Sequence, residues 1–441
     1  MAIEKENYKY HFILYLISPV LGLIYGLKSG SKTYIRWTIY IFTVIFGSLL
    51  TFGVMGGERG KKTGADGAIQ LNHVYDDYQY KDFSWFWEQM LEIFTLSGKA
   101  EFAEPYGHIL AFIFGSFLNS PGSFFVGVAL VYGYFFSGSL VKLLSYVDWN
   151  SNYNRFYFFS FLAMMVMWVN LKDMNTVRTW TGMWVLIYAV MSYYETKHKK
   201  YLLLAFVPPF IHIGFSAMCI PVWIVLFSGY RNPKLYFIIF ILSTLFSGVT
   251  QQSGVYEDVA STSELASRKV SAYSMDEDKI EKIETNRNER SSNFYKMYEK
   301  YGMQNYVLTG LVIFIFLFLR QIGFSKIENT LFSYGLALAS FANFTSFISA
   351  LHARTWTIAA VFIMTLVVVF LSKNNFRNTH FAFMKVKLPL TIFTLLFIPY
   401  FLLKISMFLN IGSVFLFFTP FFSWINPEIG ISIRDFIVSI I

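Results

Sequence analysis

Charge is scarce in this chain. Asp, Glu, Lys and Arg make up 14% of its 441 residues, where soluble domains carry about a quarter. An ordinary soluble globular domain is therefore excluded. The 55% hydrophobic content, with 50 Phe, 29 Tyr and 10 Trp, points to the membrane class. Cysteine is almost absent. The one thiol, Cys219, stands in an apolar run, which excludes a disulfide framework and fits a small core residue. There is no P-loop, no G-x-G-x-x-G, no H-E-x-x-H and no Cys/His cluster. The acidic triplet at Asp276–Asp278 has no nucleotide-binding pattern around it. ATP hydrolysis, a structural metal and a cofactor are thus not expected. The stretch MAIEKENYKYHF lacks a basic n-region and a small-residue cleavage site, so the first apolar run is expected to be a retained helix. A pI near 9.2 could suggest nucleic acid as a partner. In a membrane protein it reports basic cytoplasmic loops instead.

A spanning helix needs about 20 mostly apolar residues. The candidates are Phe12–Leu27, Tyr34–Met55, Pro121–Leu144, Phe156–Leu171, Arg178–Tyr194, Leu235–Val249, Tyr306–Leu319, Ile327–Leu351, Arg354–Leu371 and Leu388–Leu409. Tyr106–Asn119 is short for a span and follows the amphipathic FSWFWEQMLEIF, so it reads as interfacial or re-entrant. Tyr201–Phe227 would be about 40 Å long as one helix. Pro208, Pro209 and Gly214 interrupt it, and two half-helices turning near His212 are expected over 201–228. The fold class is therefore an all-α polytopic membrane bundle of about 10–12 helices forming a single transmembrane domain.

Short linkers rich in Lys and Arg set the orientation. KSGSKTYIR, ETKHKK, YRNPK, RQIGFSK and KNNFR…MKVK all fall on one side, which the rule makes cytoplasmic. The long polar loops 56–105 and 250–302 fall on the other. They carry more acidic than basic residues.

Arg-Thr-Trp-Thr occurs twice, at Arg178–Thr181 and Arg354–Thr357, each time opening an apolar stretch on the outer side. An arginine in a helix costs roughly 2.5–3.5 kcal/mol at the bilayer centre and less near the interface. Either one alone could snorkel to head groups. Together, at helix starts whose dipoles favour anions, they point to binding of a phosphate by planar guanidinium groups. Trp180 and Trp356 suit an interfacial belt, or stacking on a sugar. His212 in PPFIHIGFSAM reads as a core histidine or a substrate contact. His352 stands two residues before Arg354, where a neighbouring cation favours a neutral, proton-accepting imidazole. The first outer loop contains NHVYDDYQYKDF. Its Asp76, Asp77 and Asp82 could supply a base or bind sugar hydroxyls, and Tyr80 lies among them. Arg268 and Tyr273 stand in ASRKVSAY of the second loop, where a charged helix exposed to solvent is the simpler reading. Lys404 could snorkel outward or meet a lipid phosphate.

The order of these pieces resembles a known family. Asp76–Phe83, Ser120–Phe136 with "SPGSFF" and "VYGYFF", Asn175–Gly182 and Leu203–Met218 follow one another as in EpsG-like, Wzy-type oligosaccharide repeat-unit polymerases. Arg268 and Tyr273 resemble a further feature of that family. Arg354 sits where it tends to have an outer Gly-Arg, although Ala353 precedes it here. The resemblance covers roughly residues 30–370. It implies a GT-C-like glycosyltransferase of the bacterial inner membrane, with its site facing the periplasm. Its substrates would be undecaprenyl-diphosphate-linked oligosaccharides, and a chain-length regulator would be a further partner. Arg178 and Arg354 would hold the diphosphate, with Arg268 a third candidate. His352, or else Asp77 or Asp76, would be the base. His212, Tyr273, Tyr80, Trp180 and Trp356 would contact substrate. An O-antigen ligase, a membrane O-acyltransferase using His212 and a flippase or transporter are the alternative readings.

Overall fold

The structure, a computed structural model, describes residues 8–28, 30–50, 66–95, 102–151, 154–228, 232–247, 294–346, 348–373, 383–425 and 430–441. Among them the chain is helical, with one isolated antiparallel bridge between Ser413 and Ser432. Among the described residues three helices are long and apolar enough to cross a membrane: Pro121–Leu144, Ala350–Lys373 and Lys385–Ile411. Phe215–Ser228, Pro233–Phe246 and Tyr306–Ile322 are shorter apolar helices. This is a helical membrane protein.

The first apolar run does not form one rod. It breaks into α1 (Tyr8–Ile17) and α2 (Pro19–Leu27). Pro19 disfavours helical backbone at Ser18, and Ser18 instead caps α2 by accepting from the Leu21 N–H. His11 Nε2 lies 2.6 Å from the Gly22 carbonyl oxygen. In a straight helix eleven residues would hold those groups about 16 Å apart, so α1 and α2 fold back on each other. Next come α3 (Lys32–Ser48), α4 (Asp66–Asp77), α5 (Phe83–Phe94) and α6 (Pro105–Phe112), the last running into a π-helical turn over Ile113–Phe117. The short segment expected near the interface is this helix and turn.

Three longer helices follow, α7 (Phe124–Leu144), α8 (Arg155–Trp168) and α9 (Thr179–Thr196), of which α7 packs on α3 and α9. A broken run follows: α10 (Lys199–Leu204), α11 (Pro208–Ile211) and α12 (Phe215–Ser228). Proline removes backbone donors and fixes φ, so the Pro208-Pro209 pair ends one helix and starts the next. The two arms lie side by side. Trp223 donates its indole N–H to the Ala205 carbonyl at 3.1 Å and stacks on Phe206. The hairpin turns at His212. After α13 (Pro233–Phe246) and α14 (Tyr306–Ile322), α15 (Lys326–Phe344) and α16 (Ser349–Lys373) form an antiparallel pair, and α17 (Leu388–Ile411) closes against α8.

Two apolar helices differ in what surrounds them. α16 is buried along nearly its whole length, whereas α17 is mostly uncovered. Leu388, Ile392, Leu395 and Leu402 form an exposed row on α17, and Leu235, Ile238, Leu242 and Leu245 another on α13. Rows at helical spacing with no protein over them are lipid-facing surfaces.

The described cations of the basic linkers gather at one end of the bundle. Lys142 pairs with Glu195. The Lys326 ammonium sits 6.0 Å from the Tyr194 ring centre, and Lys373 lies 3.6 Å from Glu328. Lys234 and Arg320 line one pocket there. Arg178 and Arg354 lie toward the opposite ends of α9 and α16.

Candidate functional site

Four side chains from four separate segments meet in one hydrogen-bonded chain. Glu104, at the N-cap of α6, is 1% exposed and lies between the others. Its carboxylate makes no capping bond to its own helix. It accepts instead from Arg178 Nη1 on one oxygen. The other oxygen accepts from His212 Nδ1 at 2.9 Å and from the Ile213 backbone N–H at 3.2 Å. His212 Nε2 in turn accepts from Arg354 Nη1 at 2.8 Å. With Nδ1 donating to a carboxylate and Nε2 accepting from a guanidinium, the imidazole is the neutral Nδ1–H tautomer. The cluster then carries two guanidinium charges against one carboxylate. Each arginine uses Nη1 alone in these bonds. The remaining donors of both guanidinium groups are those that grip an anion bidentately.

Local backbone aims each member. Val177, ahead of Arg178, has φ 56° and ψ −58°, and the Arg178 N–H reaches the Thr176 carbonyl at 2.5 Å. That is a γ-turn in the left-handed half of φ, which a β-branched residue seldom adopts. It turns the chain sharply out of the 3₁₀ turn Leu171–Thr176, so that Arg178 caps α9. His212 is held because the hairpin tip packs closely on α9. A Cβ at Gly182 would come within 2.7 Å of the Phe215 ring. Arg354 lies about a turn and a half inside α16, which starts at Ser349, and so beyond the helix-start position expected for it.

The other expected residues are placed as follows. His352 is half-buried and donates Nδ1–H to the Ala342 carbonyl at 2.8 Å, which leaves Nε2 as its accepting atom. Asp77 is bonded to His73 at 2.7 Å on α4, Asp76 is exposed, and Asp82 caps α5 by accepting from the Trp85 N–H. The acidic helix lies close to the site: the His73 ring packs edge-on to Phe102, two residues before Glu104, and Asn175 accepts from the Gly67 N–H at 3.1 Å. Tyr80 is exposed with φ 62°. Trp180 is half-buried. Trp356 is completely buried and donates to Asn343 Oδ1 at 3.0 Å, so it faces neither an interface nor an open sugar site. Arg268 and Tyr273 lie outside the described residues. Lys404 is buried, contacts Glu299 at 3.1 Å and sits over the Tyr400 ring. With the neighbouring Lys172–Asp173 pair at 2.7 Å it makes a second charged cluster, in which positive and negative groups match one for one.

Glu104 is the residue that reading the sequence missed. It belongs to no motif. A signal was present nonetheless: AEFAEPYG sets a carboxylate directly before a proline that opens an apolar helix. Glu before Pro at a helix start is an N-cap position, and an acid there needs partners if the helix is buried.

Comparison with protein-family models, with curated proteins and with solved structures finds no match to this chain.

Proposed function

We propose that the chain is a membrane glycosyltransferase that polymerises lipid-linked oligosaccharide repeat units, with Arg178 and Arg354 as its diphosphate-binding residues. The observation that carries this reading is the chain Arg178–Glu104–His212–Arg354. Two guanidinium groups 176 positions apart are tied to one buried carboxylate–imidazole pair, at the end of the bundle away from the cationic linkers. Charged side chains inside a membrane protein are costly. Among the described residues the cluster has one excess positive charge and guanidinium donors with no further partner, which suits an anionic ligand.

The chemistry follows from that charge. The acceptor hydroxyl oxygen forms a bond to the anomeric carbon of the donor. The bond from that carbon to the diphosphate oxygen breaks, and the diphosphate leaves with the electron pair. Preformed cations aimed at that oxygen stabilise the charge as it develops. The hydroxyl proton passes to a base, for which His352 Nε2 is the first assignment and Asp77 the second. Glu104 positions Arg178 and His212, and does not itself react. Two guanidinium groups take the part a divalent cation plays elsewhere, so a chelator should leave the rate unchanged. The substrate is an undecaprenyl-diphosphate-linked oligosaccharide, the bundle has 10–12 spans of the GT-C kind, and the cluster faces the periplasm of a bacterial inner membrane.

The test is direct. Purified protein in bilayers, given lipid-linked oligosaccharide, should yield a ladder of lengthening glycans. Transfer seen only when lipid A core is supplied would make it a ligase. Movement of the lipid across the bilayer with no new glycosidic bond would make it a transporter.

A further inference from the structure

At the opposite end of the bundle lies a pocket of about 470 Å³ lined by Lys234, Phe316, Leu317, Arg320, Gln321, Phe324 and Asn329. We propose that it holds the head group of an anionic phospholipid, with Lys234 and Arg320 on the phosphate and the acyl chains along the apolar surface below.

The walls come from three elements that are fixed with respect to one another. Phe237 of α13 stacks on Phe316 of α14 with ring centres 3.6 Å apart. Asn329 of α15 donates its amide to the Phe324 and Ser325 carbonyls at 3.2 and 3.1 Å, holding the 323–325 turn. The Arg320 guanidinium itself lies over the Phe316 ring, 5.1 Å from its centre, a cation–π contact between two lining residues that holds the charge at the pocket wall.

Charge favours an anion there. Glu328, next to Asn329 on α15, is committed elsewhere: one oxygen accepts from the Ser325 N–H at 2.6 Å and the other lies 3.6 Å from Lys373. Among the described residues, neither Lys234 nor Arg320 forms an ion pair. Gln321 adds a neutral donor at the rim. Basic pockets between helix ends at a membrane surface recognise lipid phosphates in this way.

The apolar lining selects a lipid over a soluble phosphate. Leu317 is 44% exposed, and the bare row Leu235, Ile238 and Leu242 runs from the Lys234 end of the pocket down α13. Two acyl chains attached to a phosphate at Lys234 and Arg320 would cover that surface. A free phosphate would leave it uncovered.

Native mass spectrometry of the detergent-purified full-length protein tests this, with phosphatidylglycerol and phosphatidylcholine added in separate arms. Phosphatidylglycerol should be retained in preference, and the Lys234→Ala/Arg320→Ala double variant should weaken that retention about tenfold or more. The Lys199→Ala/Lys200→Ala variant, which removes two cations outside the pocket, should leave it unchanged. Arg320→Lys keeps the charge and should stay within about twofold of the parent, because a head group held by net charge alone needs no bidentate fork. Equal retention of the two lipids would overturn the proposal. So would unchanged binding in the double variant, or a loss in Arg320→Lys as large as in the double variant. Displacement of the lipid by glycerol phosphate at equal concentration would make it a soluble-anion site and overturn the lipid assignment.

Discussion

The two Arg-Thr-Trp-Thr stretches are the same four residues in different settings. At Arg178 the motif follows a γ-turn and caps α9; at Arg354 it lies inside α16. Two of its four positions behave alike in both. Each arginine ends on the Glu104–His212 pair. Each final threonine, Thr181 or Thr357, donates back to the carbonyl four residues earlier, on Val177 or Ala353, at 2.6 and 2.8 Å. The tryptophans part company: Trp180 is half-buried, while Trp356 is sealed in the core beside Phe240 and Asn343. The motif is thus matched where it points at the cluster and unmatched where it meets local packing. A four-residue string fixes side-chain chemistry, and the surrounding helices decide which of those side chains reach a common point.

Breaking the comparison at tryptophan should give the largest effect. Trp356→Ala should cost about 3–5 kcal/mol, since it opens a large cavity and orphans Asn343 Oδ1. Trp180→Ala should stay within about 1 kcal/mol. Thermal unfolding of both variants in the same detergent measures the difference. Similar losses would mean that the two tryptophans share a role after all.

The arginines should instead respond alike. Arg178→Ala and Arg354→Ala should each lower glycan transfer about 100- to 1,000-fold, the scale for a lost charge-stabilising donor. Both variants should remain folded in the membrane. Full activity in either one would remove the leaving-group role. Arg→Lys at either position should also be impaired, because an ammonium cannot grip a diphosphate with two parallel bonds. Glu104→Gln should do less, about tenfold, with kcat falling and KM nearly constant. The amide keeps the shape and one acceptor but loses the charge that draws Arg178 and His212 together. A variant indistinguishable from the parent would leave Glu104 as a buried packing partner with no part in directing Arg178.

Much of this arrangement was legible in the sequence, for physical reasons. Length and apolarity marked most of the helices, because a helix buried in lipid or core is apolar on every side. The Pro208-Pro209 break was legible because proline acts locally. The split at Ser18 carried the same kind of signal in Pro19, which the continuous apolarity of the run masked, whereas the true start of α16 at Ser349 falls inside an apolar run with no local breaker. A different limit hid what Glu104 binds, although its place before Pro105 was visible. Its partners are 74 and 108 positions away, and no spacing rule reaches that far. The environment of Trp356 was hidden likewise, because an indole is equally at home at an interface and in a core with an acceptor nearby.

The smallest effect separates the residues that precede the two arginines. Val177 has φ 56°, a conformation glycine adopts freely and valine does not. Ala353 sits within helical backbone. Val177→Gly would release about 1–3 kcal/mol of strain but forfeit about 1.5–3 kcal/mol of apolar burial, for a net change near zero. Ala353→Gly has no strain to release and should cost about 1 kcal/mol, the helix penalty of glycine. A glycine before the same motif should therefore destabilise one site and not the other. Transfer adds a second readout. If the γ-turn is what aims Arg178, a glycine there should slow kcat a few-fold with little change in KM, although stability is unaltered. A loss of more than about 3 kcal/mol in Val177→Gly would show that the position exists to bury a side chain, and that the turn has no part in directing the guanidinium.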